Sequence, residues 1–144
     1  MPNQKPLVTA AVFCDDVIIG ADGSPTIVRI VDRGTVEVPP LPPGTQPSFR
    51  IHAFFSVKAG DLRGDYEFTI TVRRPDGKSS TIPDKWGVHF DGEETGGNLK
   101  LQIGLPAVYG LYWLDLTWKG EVLSSTPFKL SEAARATPSI GQPT

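Results

Sequence analysis

The sequence of 144 residues has one cysteine, two histidines and no long apolar run, and each scarcity excludes something. Cys14 alone cannot form an internal disulfide, on which small secreted domains usually rely, so we expect a cytoplasmic protein. No apolar stretch approaches the ~20 residues that a transmembrane helix requires, so no membrane partner is expected. The apolar run that ends at Cys14 is short for a secretion signal, and residues 7–14 are interpreted as a first strand.

The charge is nearly balanced, with 14 Lys and Arg against 16 Asp and Glu and a formal net charge of −2. Nucleic-acid binding usually needs a clustered positive patch, because contacts to phosphates supply most of the affinity. Arg73 and Arg74 form the only dense basic pair. We therefore expect no nucleic-acid partner.

The 15 glycines and 14 prolines are spread along the chain and divide it into short segments, as in all-β domains. Residues 65–74 alternate most clearly, with Tyr66, Phe68 and Ile70 on one face, and a period of two is typical of a half-buried strand. No apolar pattern with a helical period persists for the length of a helix. The predicted strands are 7–14, 26–38, 48–58, 65–74, 85–91, 98–105, 109–118 and 121–130.

The last two predicted strands flank Lys119-Gly120, a dipeptide suited to a tight hairpin turn. About seven to nine strands without helices between them favour an immunoglobulin-like antiparallel β-sandwich. Three tryptophans can supply the core packing that a disulfide provides in other sandwiches. We predict one sandwich domain over residues 1–130, followed by an extended or partly disordered tail over residues 131–144, with a stiff proline run at 39–44.

Two short motifs invite a functional interpretation, and local context favours turns for both. Arg63-Gly64-Asp65 is the tripeptide that adhesion ligands present to integrins, but it lies between two predicted strands in a stretch rich in Gly and Asp. Gly77-Lys78-Ser79 resembles the end of a phosphate-binding loop, which needs a further glycine at position 72 and a following helix. Position 72 is valine, and residues 75–77 read as a turn between strands.

Candidates for catalysis are few. A dyad of Cys14 with His52 or His89 is conceivable, because strands remote in sequence can be neighbours in space. Cys14 lies in an apolar run, however, where a free cysteine is more often an inert core residue. His89 is expected to face solvent, and His52 to share a face with Phe54. We therefore do not expect an enzyme.

The acidic residues offer two further possibilities. The loop at residues 91–98 is acidic and rich in glycine and could donate oxygens to calcium, but it lacks the spacing of an EF-hand. Asp15 and Asp16 would project to opposite faces of a strand, which is a poor geometry for a general acid and base pair. We expect no metal or other cofactor.

Asp32 and Arg33 interrupt an apolar segment, where charges are rarely found unless they are paired. We expect one of them to meet a charge from Asp15 or Asp16, or else to mark a bulge or a strand end. A structural charge pair among these four residues is favoured over a functional role.

Both ends of the chain show features that recur together in one group of proteins. Asp15-Asp16, Asp22-Gly23 and Asp32-Arg33 lie near the N-terminus, while an aromatic strand containing Tyr112, then Gly120-Glu121 and Pro127, forms the C-terminal hairpin. In these features the sequence resembles a family of small, uncharacterised bacterial proteins. The resemblance implies a domain of unknown function with an immunoglobulin-like sandwich fold and supplies no catalytic residues.

The favoured function is a non-enzymatic interaction or structural module that binds a protein partner or self-assembles. Trp113, or Leu111 beside it, could form the contact patch, because Trp is enriched in interface hot spots. It is equally consistent with the sequence that Trp113 is covered by the proline run or by the tail. Two different functions stay open: a structural component of a phage or injection machine, and an enzyme or a sandwich that binds a small molecule, calcium or carbohydrate. An enzyme or ligand-binding site would require a concave pocket where carboxylates meet His52, His89 or Cys14.

Overall fold

The computed structural model describes residues 5–36, 42–45, 47–58, 62–92 and 96–132. These residues form ten β-strands, and no helix that could span a membrane occurs among them. In chain order the strands are β1 (Leu7–Ile19), β2 (Pro25–Val31), β3 (Arg33–Val36), β4 (Ser48–Lys58), β5 (Gly64–Arg73), β6 (Ser79–Thr81), β7 (Trp86–Phe90), β8 (Gly96–Pro106), β9 (Gly110–Trp118) and β10 (Glu121–Glu132).

The strands form two sheets. The first sheet has four strands in the order β2-β1-β4-β8, and the second has the order β3-β10-β9-β5-β6, with β7 also paired to β5. Every pairing is antiparallel except that of β3 with β10, which is parallel. The prediction of an all-β sandwich is confirmed.

The apolar faces of the two sheets meet in one core. Alternate residues of β4, β5, β8 and β9 point inward, and Tyr66, which leads the predicted apolar face of β5, packs against the same core. The buried members are Phe13, Ile51, Ala53, Phe55, Val57, Phe68, Ile70, Val72, Leu99, Leu101, Ile103, Leu105, Tyr112, Leu114, Leu116, Phe128 and Leu130. The alternation predicted from sequence is therefore the alternation between core and solvent.

The largest differences from the predicted strand boundaries are in the first two predicted strands. The first strand does not end at Cys14 but continues through Asp15 and Asp16 to Ile19, because β2 supplies pairing partners along that stretch. The predicted strand at residues 26–38 is two strands separated at Asp32, since the chain leaves the first sheet there and joins the second. The three-residue strand β6 was not predicted, because an exposed Ser-Ser-Thr segment carries no apolar alternation.

A buried tyrosine ties the start of β9 to the preceding loop. The Tyr112 hydroxyl donates to the carbonyl oxygen of Pro106 at 2.5 Å and accepts from the backbone N–H of Val108 at 2.7 Å. Immunoglobulin-like sandwiches carry such a tyrosine corner near the start of strand F. The pairing agrees with that assignment, because β4 and β8 occupy the places of strands B and E, and β5, β9 and β10 those of C, F and G. The fold is an immunoglobulin-like β-sandwich.

The hairpin between β9 and β10 forms as predicted. Lys119 and Gly120 have φ values of 49° and 77°, both in the left-handed region that a two-residue hairpin turn requires. The last strand runs on to Glu132, so Ser131 and Glu132 complete β10. The rest of the predicted tail, residues 133–144, and residues 37–41 around the start of the proline run lie outside the described part of the chain.

Candidate functional site

The first sheet opens at one corner, where β1 and β4 part. β1 pairs with β4 only as far as Cys14, which lies opposite His52. Beyond that point β1 continues with β2 as its partner, whereas β4 continues toward Ser48 with β8 as its partner. A cleft of about 430 Å³, here called the split-strand cleft, lies at this corner. Its lining residues are Cys14, Asp15, Arg29, Val31, Arg33, Gly34, Thr35, Phe49, Arg50, Ile51, His52, Phe128 and Leu130.

Where β1 separates from β4, the β1–β2 hairpin changes which of its residues face the interior. Cys14 and Val17 belong to one buried cluster with Phe54, although residues three apart on a flat strand face opposite sides. Arg29 adopts a φ of 47°, a left-handed conformation that is uncommon for residues with a side chain. Its guanidinium donates to the Asp15 carboxylate at 2.5 Å from Nε and 3.3 Å from Nη2. The bend thus covers the Cys14 cluster and holds this ion pair at the cleft.

Of the four residues considered for a structural charge pair, Asp32 and Arg33 pair with each other, whereas Asp15 and Asp16 have other partners. Asp15 pairs with Arg29, and Asp32 pairs at 3.2 Å with its neighbour Arg33, where both side chains are largely exposed. Asp32 lies between β2 and β3, where the strand ends. Asp16 accepts a hydrogen bond from the backbone N–H of Val17 at 2.7 Å. Among the described ion pairs, none joins Asp15 or Asp16 to Arg33.

The structure brings Cys14 and His52 together as direct cross-strand neighbours. Asp16 completes the group, with its carboxylate 3.9 Å from His52 Nε2. Burial, followed by the charges of Asp16 and Asp15, raises the pKa of the Cys14 thiol. A thiol with a raised pKa stays protonated at neutral pH and is a weak nucleophile. The geometry therefore places the residues of a dyad side by side without activating the sulfur, and no described hydrogen bond joins Sγ to the imidazole.

The outward face of the second sheet carries the second candidate region, around Trp113. The guanidinium carbon of Arg73 lies 5.4 Å from the centroid of the Trp113 ring. Arg73 Nε and Nη2 also donate to the Asp115 carboxylate at 2.8 and 3.0 Å, and Ser125 Oγ donates to it at 2.6 Å. Asp115 is 7% exposed, and its burial is compatible with charge because three donors surround it.

These contacts set the protonation state of Asp115. Burial alone would raise its pKa, but the hydrogen bonds from Arg73 and Ser125 and the positive charge of Arg73 outweigh burial and leave the pKa below its ordinary value. The same hydrogen bond raises the pKa of Arg73. The pair is therefore ionised at neutral pH and fixes the position of the guanidinium against Trp113.

Apolar side chains flank this ion pair. Leu111 is 43% exposed and Tyr109 is 42% exposed, while Trp113 is half-buried. With Arg73 and Pro75 they belong to one shallow, open depression. We call this region the Trp113 surface; its residues are Arg73, Arg74, Pro75, Gly77, Ser79, Tyr109, Gly110, Leu111 and Trp113.

The two short motifs lie in turns and strand ends. Asp65 is the second residue of β5 and lies opposite His89, with its carboxylate 2.6 Å from His89 Nδ1. In the turn before β6, the N–H of Gly77 donates to the carbonyl oxygen of Arg74 at 3.1 Å, and the N–H of Lys78 donates to the Asp76 carboxylate at 3.0 Å. The predicted turn at residues 75–77 is confirmed, and a strand rather than a helix follows it.

The described residues contain no group of three or more His, Cys, Asp or Glu side chains arranged to hold a metal ion. The acidic loop considered for calcium falls partly outside this description, because residues 93–95 are not among the described ones. The carboxylate, histidine and cysteine that an enzyme or ligand site was expected to combine are present at the split-strand cleft, whose lining includes Asp15, His52 and Cys14.

Sequence reasoning missed two features of these regions. It did not find the contact of Arg73 with Asp115, because the pairing register that sets β5 beside β9 joins residues 42 positions apart. It also did not find Arg29 or Arg50 at the cleft. One signal was present, since Asp115 is the single charge within an otherwise apolar and aromatic segment. A charge in such a position predicts a partner across the sheet.

Comparisons with solved structures find similar chains at low identity. An immunoglobulin-like protein from Pseudomonas aeruginosa is similar over 91% of this chain and 100% of its own, with 12% identity and a TM-score of 0.45. Pseudomonas fluorescens alkylpurine DNA glycosylase AlkC, bound to DNA containing an abasic site analog, is similar over 57% of this chain, with 12% identity and a TM-score of 0.39. This chain spans 25% of that chain. No protein-family model and no curated protein matches the sequence.

Proposed function

We propose that the protein is a non-enzymatic interaction module that binds a protein partner through the Trp113 surface. The observation that carries the proposal is the juxtaposition of Trp113, Tyr109 and Leu111 with Arg73 on an outward sheet face. Trp, Tyr and Arg are the residues most enriched in the hot spots of protein interfaces. We also propose that this chain belongs to the family of small bacterial proteins that its sequence resembles.

The arrangement is suited to binding because Arg73 is already fixed. Its bidentate contact with Asp115, supported by Ser125, holds the guanidinium beside the Trp113 ring before any partner arrives. A side chain that is ordered in the free protein loses little rotamer entropy on association, which favours affinity. Tyr109 and Leu111 then provide exposed apolar area next to a fixed charge. A structural component of a phage or injection machine is one form of this proposal, in which the partner belongs to an assembly.

A site-specific photo-crosslinker tests the proposal. Placed at Leu111, it reports on the Trp113 surface; placed at Lys100, an exposed position of β8 in the other sheet, it serves as the matched control. Crosslinking in the native host, followed by mass spectrometry, identifies what lies against each position. Sedimentation of the purified protein distinguishes a second copy of this chain from a different partner.

The proposal predicts one defined partner crosslinked from position 111 and not from position 100. Trp113→Ala should weaken the purified complex by at least about tenfold, the scale of a hot-spot residue. Val122→Ala, at an exposed position of β10 outside the Trp113 surface, should leave the affinity unchanged. Equal crosslinking from both positions, or an affinity indifferent to Trp113→Ala, would contradict the proposal.

A further inference from the structure

We propose that the split-strand cleft binds a small amphipathic carboxylate, with the anionic group held by arginines at its rim and the apolar part on its aromatic floor. This site lies where the first sheet opens and is separate from the Trp113 surface, so it is a second binding activity. Four features of the cleft support the proposal: its floor, its charge, its open backbone edge and its size.

The floor is apolar and comes from both sheets. Phe49 of β4 stacks on Phe128 of β10, with ring centroids 6.0 Å apart and an interplanar angle of 18°. Ile51 and Leu130 extend this floor. β3 can lie directly on the Phe128 ring because Gly34 has no side chain, and a Cβ there would come within 2.8 Å of Phe128 Cζ. A hydrocarbon group placed on this floor would lose contact with water on one side.

The rim is positive although the whole chain is slightly acidic. Arg29, Arg33 and Arg50 line the cleft together with one carboxylate, that of Asp15, in a protein of formal net charge −2. Asp15 is already paired with Arg29, and Arg33 meets only the exposed Asp32 among the described ion pairs. No ion pair to Arg50 occurs among the described residues. An anion would therefore find two guanidinium groups whose charge is not satisfied by a buried partner.

One backbone edge at this corner has no described strand beside it. Because β1 leaves β4 after Cys14, the edge of β4 over residues 48–51 has no strand partner on that side among the described residues. Arg50 lies on this free stretch, and Arg29 lies at the left-handed bend of the opposite wall. Strained residues of this kind are concentrated at ligand and catalytic sites. The open edge leaves room for a ligand between the two strands.

Size and geometry favour a carboxylate of small-molecule dimensions. A volume of about 430 Å³ lies within the range of ligand pockets. The planar guanidinium fork matches the two oxygens of a carboxylate, which it can bind through two parallel hydrogen bonds. Because the floor is apolar and the rim is positive, we expect that neither the hydrocarbon tail nor the negative charge of the ligand is sufficient for binding by itself.

Three probes separate these requirements: octanoate, octyltrimethylammonium with the opposite charge and a tail one carbon longer, and butanoate with the same charge and a shorter tail. Calorimetric titration of the folded protein should show that octanoate binds at least about tenfold more tightly than either of the others. Amide chemical shifts should change at Phe49, Arg50 and Phe128, and not around Trp113.

Arg50→Gln tests the rim, and Lys78→Gln is its matched control, since it removes the same charge from an exposed turn on another part of the molecule. Arg50→Gln should weaken octanoate binding by at least about tenfold and Lys78→Gln should not, with thermal unfolding confirming that both variants are folded. Equal affinity for octanoate and octyltrimethylammonium, unchanged binding in Arg50→Gln, or no octanoate binding would overturn the proposal.

Discussion

The Trp113 surface and the split-strand cleft both combine arginines with aromatic side chains, but they differ in how the charge of the arginines is paired. On the Trp113 surface, Arg73 is held by two hydrogen bonds to Asp115, a carboxylate that is almost completely buried. At the cleft, the ion pairs among the described residues join Arg33 to an exposed neighbour and include none to Arg50. The charge of Arg73 is compensated by a buried carboxylate of the protein itself. The charges of Arg33 and Arg50 are the ones that we propose a ligand anion would pair with.

The difference follows from strand pairing. β5, β9 and β10 stay in register across the Trp113 surface, so Arg73, Asp115 and Ser125 are brought side by side. β1 and β4 stop pairing after Cys14, so Arg50 has no partner strand on the β1 side among the described residues. Continuous strand pairing therefore produces a fixed polar network, whereas interrupted pairing produces a cleft whose rim arginines have no buried carboxylate partner among the described residues.

The largest expected effect comes from the floor of the cleft. Phe128 is 3% exposed and its ring lies 5.1 Å from that of Phe13 and 6.0 Å from that of Phe49. Phe128→Ala should lower the free energy of unfolding by about 3–5 kcal/mol, because it leaves a cavity between the sheets. Urea denaturation measures the loss, with Val122→Ala, at an exposed position of β10, as control. A small loss would mean that the floor is not part of the core.

The next effect tests whether the Asp115 network stabilises the fold. Asp115→Asn removes the charge that Arg73 and Ser125 surround, and it should cost about 1–3 kcal/mol at neutral pH. The pKa of Asp115 is lowered in the folded protein, so its stabilisation is present above the unfolded value of about 3.9 and is lost as the pH falls through the folded pKa. The acid limb of the stability curve should therefore be flatter in the variant than in the parent.

The control for this measurement is Asp84→Asn, at an exposed position between β6 and β7. It should leave the stability at neutral pH unchanged within about 0.5 kcal/mol, as is usual for a substitution at an exposed surface position. If Asp84→Asn and Asp115→Asn altered the acid limb equally, the two carboxylates would be energetically equivalent, and the contrast between a closed network and an open rim would lose its basis.

The smallest effect is expected at the rim of the cleft. The side chains of Arg33 and Asp32 are 80% and 75% exposed, so their ion pair is screened by water. Arg33→Gln should leave the unfolding midpoint unchanged within the error of a thermal melt. A clear destabilisation would show that the rim arginines serve the fold, and that they are not available to an anion.

The features that were predicted best from the sequence are those that a local residue pattern specifies. The alternation of Phe68 and Ile70 in β5 and the Lys119-Gly120 turn are local properties, and the structure confirms them. The end of the first strand was predicted at Cys14 and was wrong, because two aspartates read as a strand end when their partner strand is unknown. The cleft was not predicted, because it forms at the point where the pairing of β1 with β4 ends.

The sequence by itself determined the class of fold, because an alternation with period two and frequent turn residues can bury apolar area only between sheets. It also determined which residues enter the core, since side chains on a strand alternate between its two faces. Only the tertiary structure decided the partner of Arg73, the bend at Arg29 and the place where β1 leaves β4. These depend on register between strands distant in sequence, which no local pattern specifies.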